Sequence, residues 1–243
     1  MTPPPIVAPP TEPVQWSLLA ARGDDARTFL QGQLSCDVLS LSAGQSSEGL
    51  LLTPGGEVIT SVACHFHPEG VDLVVRAELA AATTSALRRF LMRTKCDFLD
   101  GGASKGAYAT VGEQVERGEP GPNEFALGIA AHSFGQLFVE RHVSFTKGCY
   151  TGQELIGRLD ARGGHVPFHL ARVIGDDLET MVSVVAGAGP TGDRALQGLT
   201  TVVGDTGFSA LALVHRTLLG DESSALIEGV QIELLHGDSR SAR

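Results

Sequence analysis

The chain has no apolar run long enough to span a bilayer; its best runs, such as Phe208 to Val214, are strand-length. No membrane partner is expected. No basic segment followed by an apolar stretch opens it, so no secretory signal is expected and the predicted location is the cytoplasm. Basic residues are few, 18 Lys and Arg against 28 Asp and Glu, for a net charge of −10. Arg88, Arg89, Arg93 and Lys95 form the only loose basic cluster, which on a helix reads as a solvated face rather than a phosphate track. Nucleic acid is therefore not the expected partner; a small molecule or another protein is. The four cysteines, Cys36, Cys64, Cys96 and Cys149, include no Cys-x-x-Cys. That argues against a zinc site by spacing and leaves reduced thiols as the expectation.

Common catalytic signatures are missing as well. There is no Gly-x-Ser-x-Gly of a serine hydrolase, and the spacing in Gly101–Gly106 is not that of a Walker loop. Gly187-Ala188-Gly189-Pro190-Thr191-Gly192 fits the dinucleotide pattern, but too few residues follow before Gly198 for the helix such a site needs. His65 and His67 share a strand face with no third metal ligand in view.

What is present is an ordinary globular composition, 42% hydrophobic and 19% charged over 243 residues. Residues 1–14 hold six of the prolines and read as a disordered, proline-rich tail. Asp24 or Asp25 can cap a helix through Phe29 and Leu30 that stops at Gly32. Gly49–Thr53 and Val58–Phe66 read as strands joined by a Pro54-Gly55-Gly56 turn, Val71–Val75 as a third strand, and Leu79–Leu91 as a helix. Tyr108–Val111 reads as a further short strand, before a polar stretch from Glu116 to Glu124. This mixture is an α+β pattern over residues 15–164. From 165 to 243 short apolar runs recur, among them His169–Ile174, Thr180–Val185, Gly198–Val203, Phe208–Val214 and Val230–Leu235. These predict a small C-terminal antiparallel β-barrel or sandwich, with a domain boundary near Gly164.

The segment with chemistry in it is Lys147-Gly148-Cys149-Tyr150-Thr151-Gly152-Gln153-Glu154. Thr151 and Glu154 have capping-box spacing, which predicts a helix from Gly152 to about Arg162 with Leu155, Ile156 and Leu159 on one side. Gly163-Gly164 would end it. Cys149 then lies near the positive end of a helix, with Lys147 close by, and both favour the thiolate. An inert, buried cysteine is the plainer alternative.

This octapeptide resembles the signature of the YgfZ family of folate-binding proteins, relatives of the glycine-cleavage aminomethyltransferase, or T-protein. Phe29-Leu30-Gln31-Gly32-Gln33-Leu34-Ser35-Cys36-Asp37 is similar to the family's early motif, and Thr53–Val58 to its strand–turn–strand. Arg117–Pro122, Val143-Ser144-Phe145 and Leu199–Arg216 resemble further segments in order.

The resemblance implies a T-protein-like α+β platform followed by a small β-barrel, around a channel for tetrahydrofolate or a derivative. It implies Glu119 as acceptor for the pterin N–H donors, since a carboxylate can take two hydrogen bonds from an aminopyrimidinone edge. Gln153, Glu154 and Arg158 are the other candidate cofactor-binding residues; Arg158 would pair with Glu154 or meet the anionic folate tail. Cys149 and Lys147 are the candidate catalytic residues, with Lys147 either tuning Cys149 electrostatically or remaining solvated. The implied role is assembly or repair of iron–sulfur clusters, with client enzymes or cluster carriers as partners. Two departures stand out. Thr60-Ser61 occupies the place of the transferases' aspartate pair, which argues against glycine-cleavage chemistry. The stretch from Leu99 to Glu116 is short, so part of the channel wall is expected to be missing. A tetrahydrofolate-dependent one-carbon transferase and a degenerate binding scaffold are the alternatives.

Overall fold

The computed structural model describes residues 7–187, 198–204, 207–218 and 222–235. Strand β1 (Val7–Ala8) precedes β2 (Trp16–Arg22), helix α1 (Ala26–Gln33), strands β3 (Ser46–Leu52), β4 (Val58–His67) and β5 (Gly70–Arg76), helix α2 (Ala80–Arg88) and strand β6 (Asp97–Ser104). Five of these strands form one sheet in the order β3-β4-β5-β2-β6, paired antiparallel throughout. Strand period two sorts its side chains onto two faces. Leu51, Val62, Cys64, Leu73, Leu19 and Ala21 meet Phe29 and Leu30 of α1 and Leu87 of α2 in one closed core.

The register puts Glu48 opposite Ala63, Ala63 opposite Val74, Val74 opposite Leu18, and Arg76 opposite Trp16. These residues share the other face, with Ser61 opposite Leu50. That face is only partly covered: Trp16, Leu18, Glu48, Ser61 and Ala63 are all half-buried.

The middle of the chain is helical: α3 (Val111–Arg117), α4 (Pro122–Phe125), a 3-10 turn at Ala131–Phe134, α5 (Gln136–His142) and α6 (Gln153–Ala161). The rest is β7 (Phe168–Gly175), α7 (Leu178–Gly187), β8 (Gly198–Gly204), β9 (Phe208–His215), β10 (Ser224–Ile227) and β11 (Val230–Leu234). The second sheet runs β1-β8-β9-β7-β11-β10, and its core with α7 includes Val173, Met181, Val185, Ala212 and Ile232. A third core joins the two sheets. Leu50, Leu52 and Val58 of the first meet Phe125, Phe134, Phe138 and Ile156, and then Phe168, Leu211 and Leu213 of the second. A boundary near Gly164 divides neither the strands cleanly, since β1 joins the second sheet, nor the packing.

Several expectations change. Among the described residues the second sheet has β1 and β10 at its edges, and no closed barrel is detected. Residues 7–14 are not a free tail: β1 pairs parallel with β8, Val14 is buried, and backbone bonds tie Pro10, Glu12 and Val14 to Gly112, Val111 and Ala109. Thr180–Val185 lies in α7, not a strand; Asp177 accepts the Thr180 N–H at 2.7 Å and so starts the helix. Tyr108–Val111 forms no strand beyond a single bridge from Thr110 to Pro13. The Gly187–Gly192 motif falls largely outside the described residues.

Candidate functional site

Three motifs far apart in sequence meet at one place. The Lys147 ammonium donates to the carbonyls of Gln31 at 2.6 Å, Leu34 at 2.6 Å and Cys36 at 2.8 Å. These acceptors lie at and just beyond the negative end of α1, where a cation belongs. Around this contact, Ser144 N–H bonds to the Ser35 carbonyl, Thr151 N–H to the Gly32 carbonyl, and the Ser35 hydroxyl to the His142 carbonyl. The β3–β4 turn completes the cluster. A side chain at Gly152, where φ is +81°, would meet the Thr53 carbonyl oxygen at 2.5 Å, and one at Gly56 would meet Leu155 at 2.5 Å. Both glycines are needed for this close approach.

The capping box does not form. The N-cap of α6 is Gly152, without a side-chain bond, because the Thr151 hydroxyl donates to Gln33 instead, at 3.2 Å. Gln153 closes the turn: its Oε1 accepts the Tyr150 N–H at 3.2 Å. The far end matches the reading, with Gly163 at φ +81° and Gly164 bonded back to the Leu159 carbonyl. Cys149 is the exposed one of the four cysteines. Lys147 directs its three donors to α1 and the segment after it, not to the thiol, and burial lowers its pKa. Glu154 and Arg158 are both exposed on α6, and no ion pair joins them among the described residues.

Glu119 lies elsewhere, at the partly covered face of the first sheet. Its Oε2 accepts from Arg141 of α5 at 2.6 Å, and Arg141 also pairs with Glu48 on that face at 3.1 Å. Burial alone would lower the Arg141 pKa, but Glu119 and Glu48 outweigh it and raise it. The loop bearing Glu119 is anchored below by Glu124, which is fully buried. Glu124 accepts from Gly121 N at 2.7 Å and from the hydroxyls of Thr200 and Thr201 at 2.5 and 2.6 Å. At the other end of the face, Arg76 donates to Gln114 at 2.8 Å and to the Tyr108 hydroxyl at 3.2 Å. Burial pushes Tyr108 up to about 12. The short connection after β6 closes over this end: Trp16 Nε1 bonds to the Tyr108 carbonyl at 2.9 Å, and Gly106 leaves room for the Trp16 ring. Nothing local in the sequence marks Arg141, Glu48, Arg76 or Tyr108, because their roles exist only once the sheet and helices meet.

Ser61 points onto the same face. Thr60 is on the covered side, fully buried, with its hydroxyl bonded to the Ser61 carbonyl at 2.9 Å. Of the two strand histidines, His67 meets Asp72 at 3.2 Å and His65 is exposed. A groove of about 760 Å³ lies on the opposite side of the sheet, between α2 and strands β2 and β6, lined by Leu19, Thr84, Arg88, Arg89, Phe98 and Asp100. It shares none of the residues above.

No family model matches the chain. It is similar to the tRNA-modifying protein YgfZ of Photobacterium profundum, 25% identical over 214 residues covering 61% of this chain and 64% of that protein. The protein of the same name from Hamiltonella defensa subsp. Acyrthosiphon pisum is 22% identical over 218 residues, 61% and 65% of the two chains. In fold it is similar to the glycine cleavage system aminomethyltransferase T from Bartonella henselae, with a TM-score of 0.57 over 94% of this chain and 86% of that one. At 13% identity that likeness carries the fold alone. The chain thus resembles YgfZ proteins in sequence and an aminomethyltransferase in fold. It spans a little under two thirds of the length of these YgfZ proteins. The segment after α1, the β3–β4 turn and the Lys147–Glu154 octapeptide form one structural unit here, with Lys147 as its pin. No helix among the described residues is long and apolar enough to cross a membrane.

Proposed function

We propose that this chain is a folate-binding protein of the YgfZ type, holding a reduced folate against the partly covered face of the first sheet. The observation that carries the reading is Glu119. It is a carboxylate with 17% side-chain exposure, fixed by Arg141 through one oxygen at 2.6 Å, beside a face that carries Ser61, Ala63, Leu18 and Trp16. Its other oxygen has no hydrogen bond among the described contacts and suits an aminopyrimidinone N–H; the half-buried strip suits the flat rings. Arg158, exposed on α6, is the proposed partner for the anionic tail. When bound, a folate supplies one-carbon chemistry. Ser61 offers no carboxylate to assist aminomethyl transfer, which disfavours the transferase alternative.

Cys149 is the proposed reactive residue for iron–sulfur assembly or repair in client proteins, because it is exposed on a loop pinned at both ends. Lys147 acts as that loop's anchor, and Gln153 and Glu154 belong to its frame. The relatives' name concerns tRNA. With a net charge of −10 the chain is a poor match for RNA itself, so its part in such a process is placed at the folate.

Equilibrium dialysis against a stable reduced folate tests the reading. Wild type and Cys149→Ala should bind saturably and alike, while Glu119→Gln binds at least about tenfold more weakly, the loss of one charge-assisted hydrogen bond. No saturable binding by wild type would leave the scaffold alternative; equal binding by Glu119→Gln would remove Glu119 from the site.

A further inference from the structure

Cys36 and Cys64 are 28 positions apart in sequence, yet their sulfurs lie 3.9 Å apart. They are 2% and 0% exposed. Cys64 is fixed inside β4, opposite Ser47 of β3 and Leu73 of β5. Cys36 is in the connection after α1, and the absence of a side chain at Gly49 makes its seat, since a Cβ there would come within 2.5 Å of the Cys36 sulfur. The Cys36 carbonyl is also one of the three acceptors of Lys147.

We propose that Cys36 and Cys64 form a reversible disulfide whose closure loosens the Lys147 anchor and so reports an oxidant to the Cys149 loop. A disulfide brings the sulfurs to about 2.05 Å. Cys64 is held by strands on both sides, so the movement falls on Cys36 and shifts the carbonyl that Lys147 holds. The two sulfurs are already unequal. The hydrogen bond from Cys64 and the Lys147 charge lower Cys36 against the opposing effect of burial, while the same hydrogen bond and burial raise Cys64. Cys36 is thus the attacking sulfur and Cys64 the resolving one.

The oxidant class is a hydroperoxide, and hydrogen peroxide is close to water in size. The Cys36 thiolate attacks one peroxide oxygen, the O–O bond breaks, and water leaves with the thiol proton, giving a sulfenic acid. The Cys64 sulfur then attacks Cys36, the S–O bond breaks and a second water leaves. Two thiols lose two electrons, hydrogen peroxide gains them, and the products are one disulfide and two waters.

The test uses the full chain carrying Cys149→Ser, which removes the exposed thiol. After peroxide the protein is alkylated in denaturant and cut after glutamate. Cleavage at Glu48 separates the two cysteines, which trypsin would leave on one peptide. The expected result is a Cys36–Cys64 linked peptide, lost on treatment with dithiothreitol, with Cys96 still alkylated. Amide exchange over residues 144–153 should be faster in the oxidised form, and oxidant should have no such effect in Cys64→Ala or Cys64→Ser. Full alkylation of both thiols after peroxide, or sulfinic acid at Cys36 without a link, would overturn the disulfide. A linked protein with unchanged exchange at 144–153 would overturn the coupling.

Discussion

Gly152→Ala is expected to destabilise the protein by about 2–4 kcal/mol and to unseat the signature loop from the β3–β4 turn. Two costs add. A left-handed backbone costs an L-residue roughly 1–2 kcal/mol, and Gly152 has φ +81°. The new methyl would also lie 2.5 Å from the Thr53 carbonyl oxygen and 2.8 Å from Leu52 Cβ, so backbone must move away from backbone. Packing beneath it makes that movement expensive, because Leu52 and Ile156 are 2% and 0% exposed in the shared core. In thermal unfolding the midpoint should drop by roughly 5–15 °C, at about 2–4 °C per kcal/mol for a chain of this size. Gly157→Ala is the control: the same residue type in the same helix, but with nothing within 4 Å. It should be neutral or stabilising by up to about 1 kcal/mol. Equal midpoints for Gly152→Ala and wild type would contradict the close approach of loop and turn.

Lys147→Met is expected to cost about 2–4 kcal/mol, because it strips three carbonyl acceptors of one charged donor. The stem of methionine can still pack, so the loss isolates the ammonium. Lys147→Arg should not restore stability. A planar guanidinium spreads its donors in a fork and cannot bring three of them to one point as an ammonium does. The measurement also separates two roles for this residue. If Lys147 chiefly activates Cys149, the variant alkylates more slowly at Cys149 and keeps its stability. If it anchors the loop, stability falls and the exposed thiol reacts at least as fast. The geometry calls for the second outcome, since all three donors are committed away from the thiol.

Local features of this fold were legible in the sequence. The β3–β4 hairpin followed from Pro54-Gly55-Gly56, α6 from its apolar side and its two terminal glycines, and α2 from an Ala- and Leu-rich run. Each signal depends on neighbours within a few residues. The helix α7 is not legible, because a short apolar run such as Met181–Val185 does not distinguish helix from strand by periodicity. Asp177, three residues before Thr180, was the available sign of a helix start. The N-terminal stretch is hidden for another reason: proline content says nothing of a pairing partner, and Val7 pairs with Val202.

The candidate site shows the same division. Cys149 and Lys147 stand out by their place before a helix start and Glu119 by motif resemblance, but their roles depend on distant partners. Lys147 bonds across separations of 111 to 116 positions, and Arg141 reaches Glu119 across 22. Thr151 shows how a correct spacing can mislead: Gln33, 118 positions away, takes the hydroxyl that a capping box would have used. Cys36 and Cys64 look scattered because tertiary packing of the connection after α1 over Gly49, not spacing, brings them together.

Trp16 is the single tryptophan of the chain and stands on the face proposed to hold folate. Its emission is therefore the most direct probe of that proposal. Titrating wild type with a reduced folate, after inner-filter correction, should quench Trp16 saturably, and Glu119→Gln should shift the curve to at least about tenfold higher concentration. Emission unchanged at saturating folate, or the same curve for both proteins, would contradict a folate site on this face.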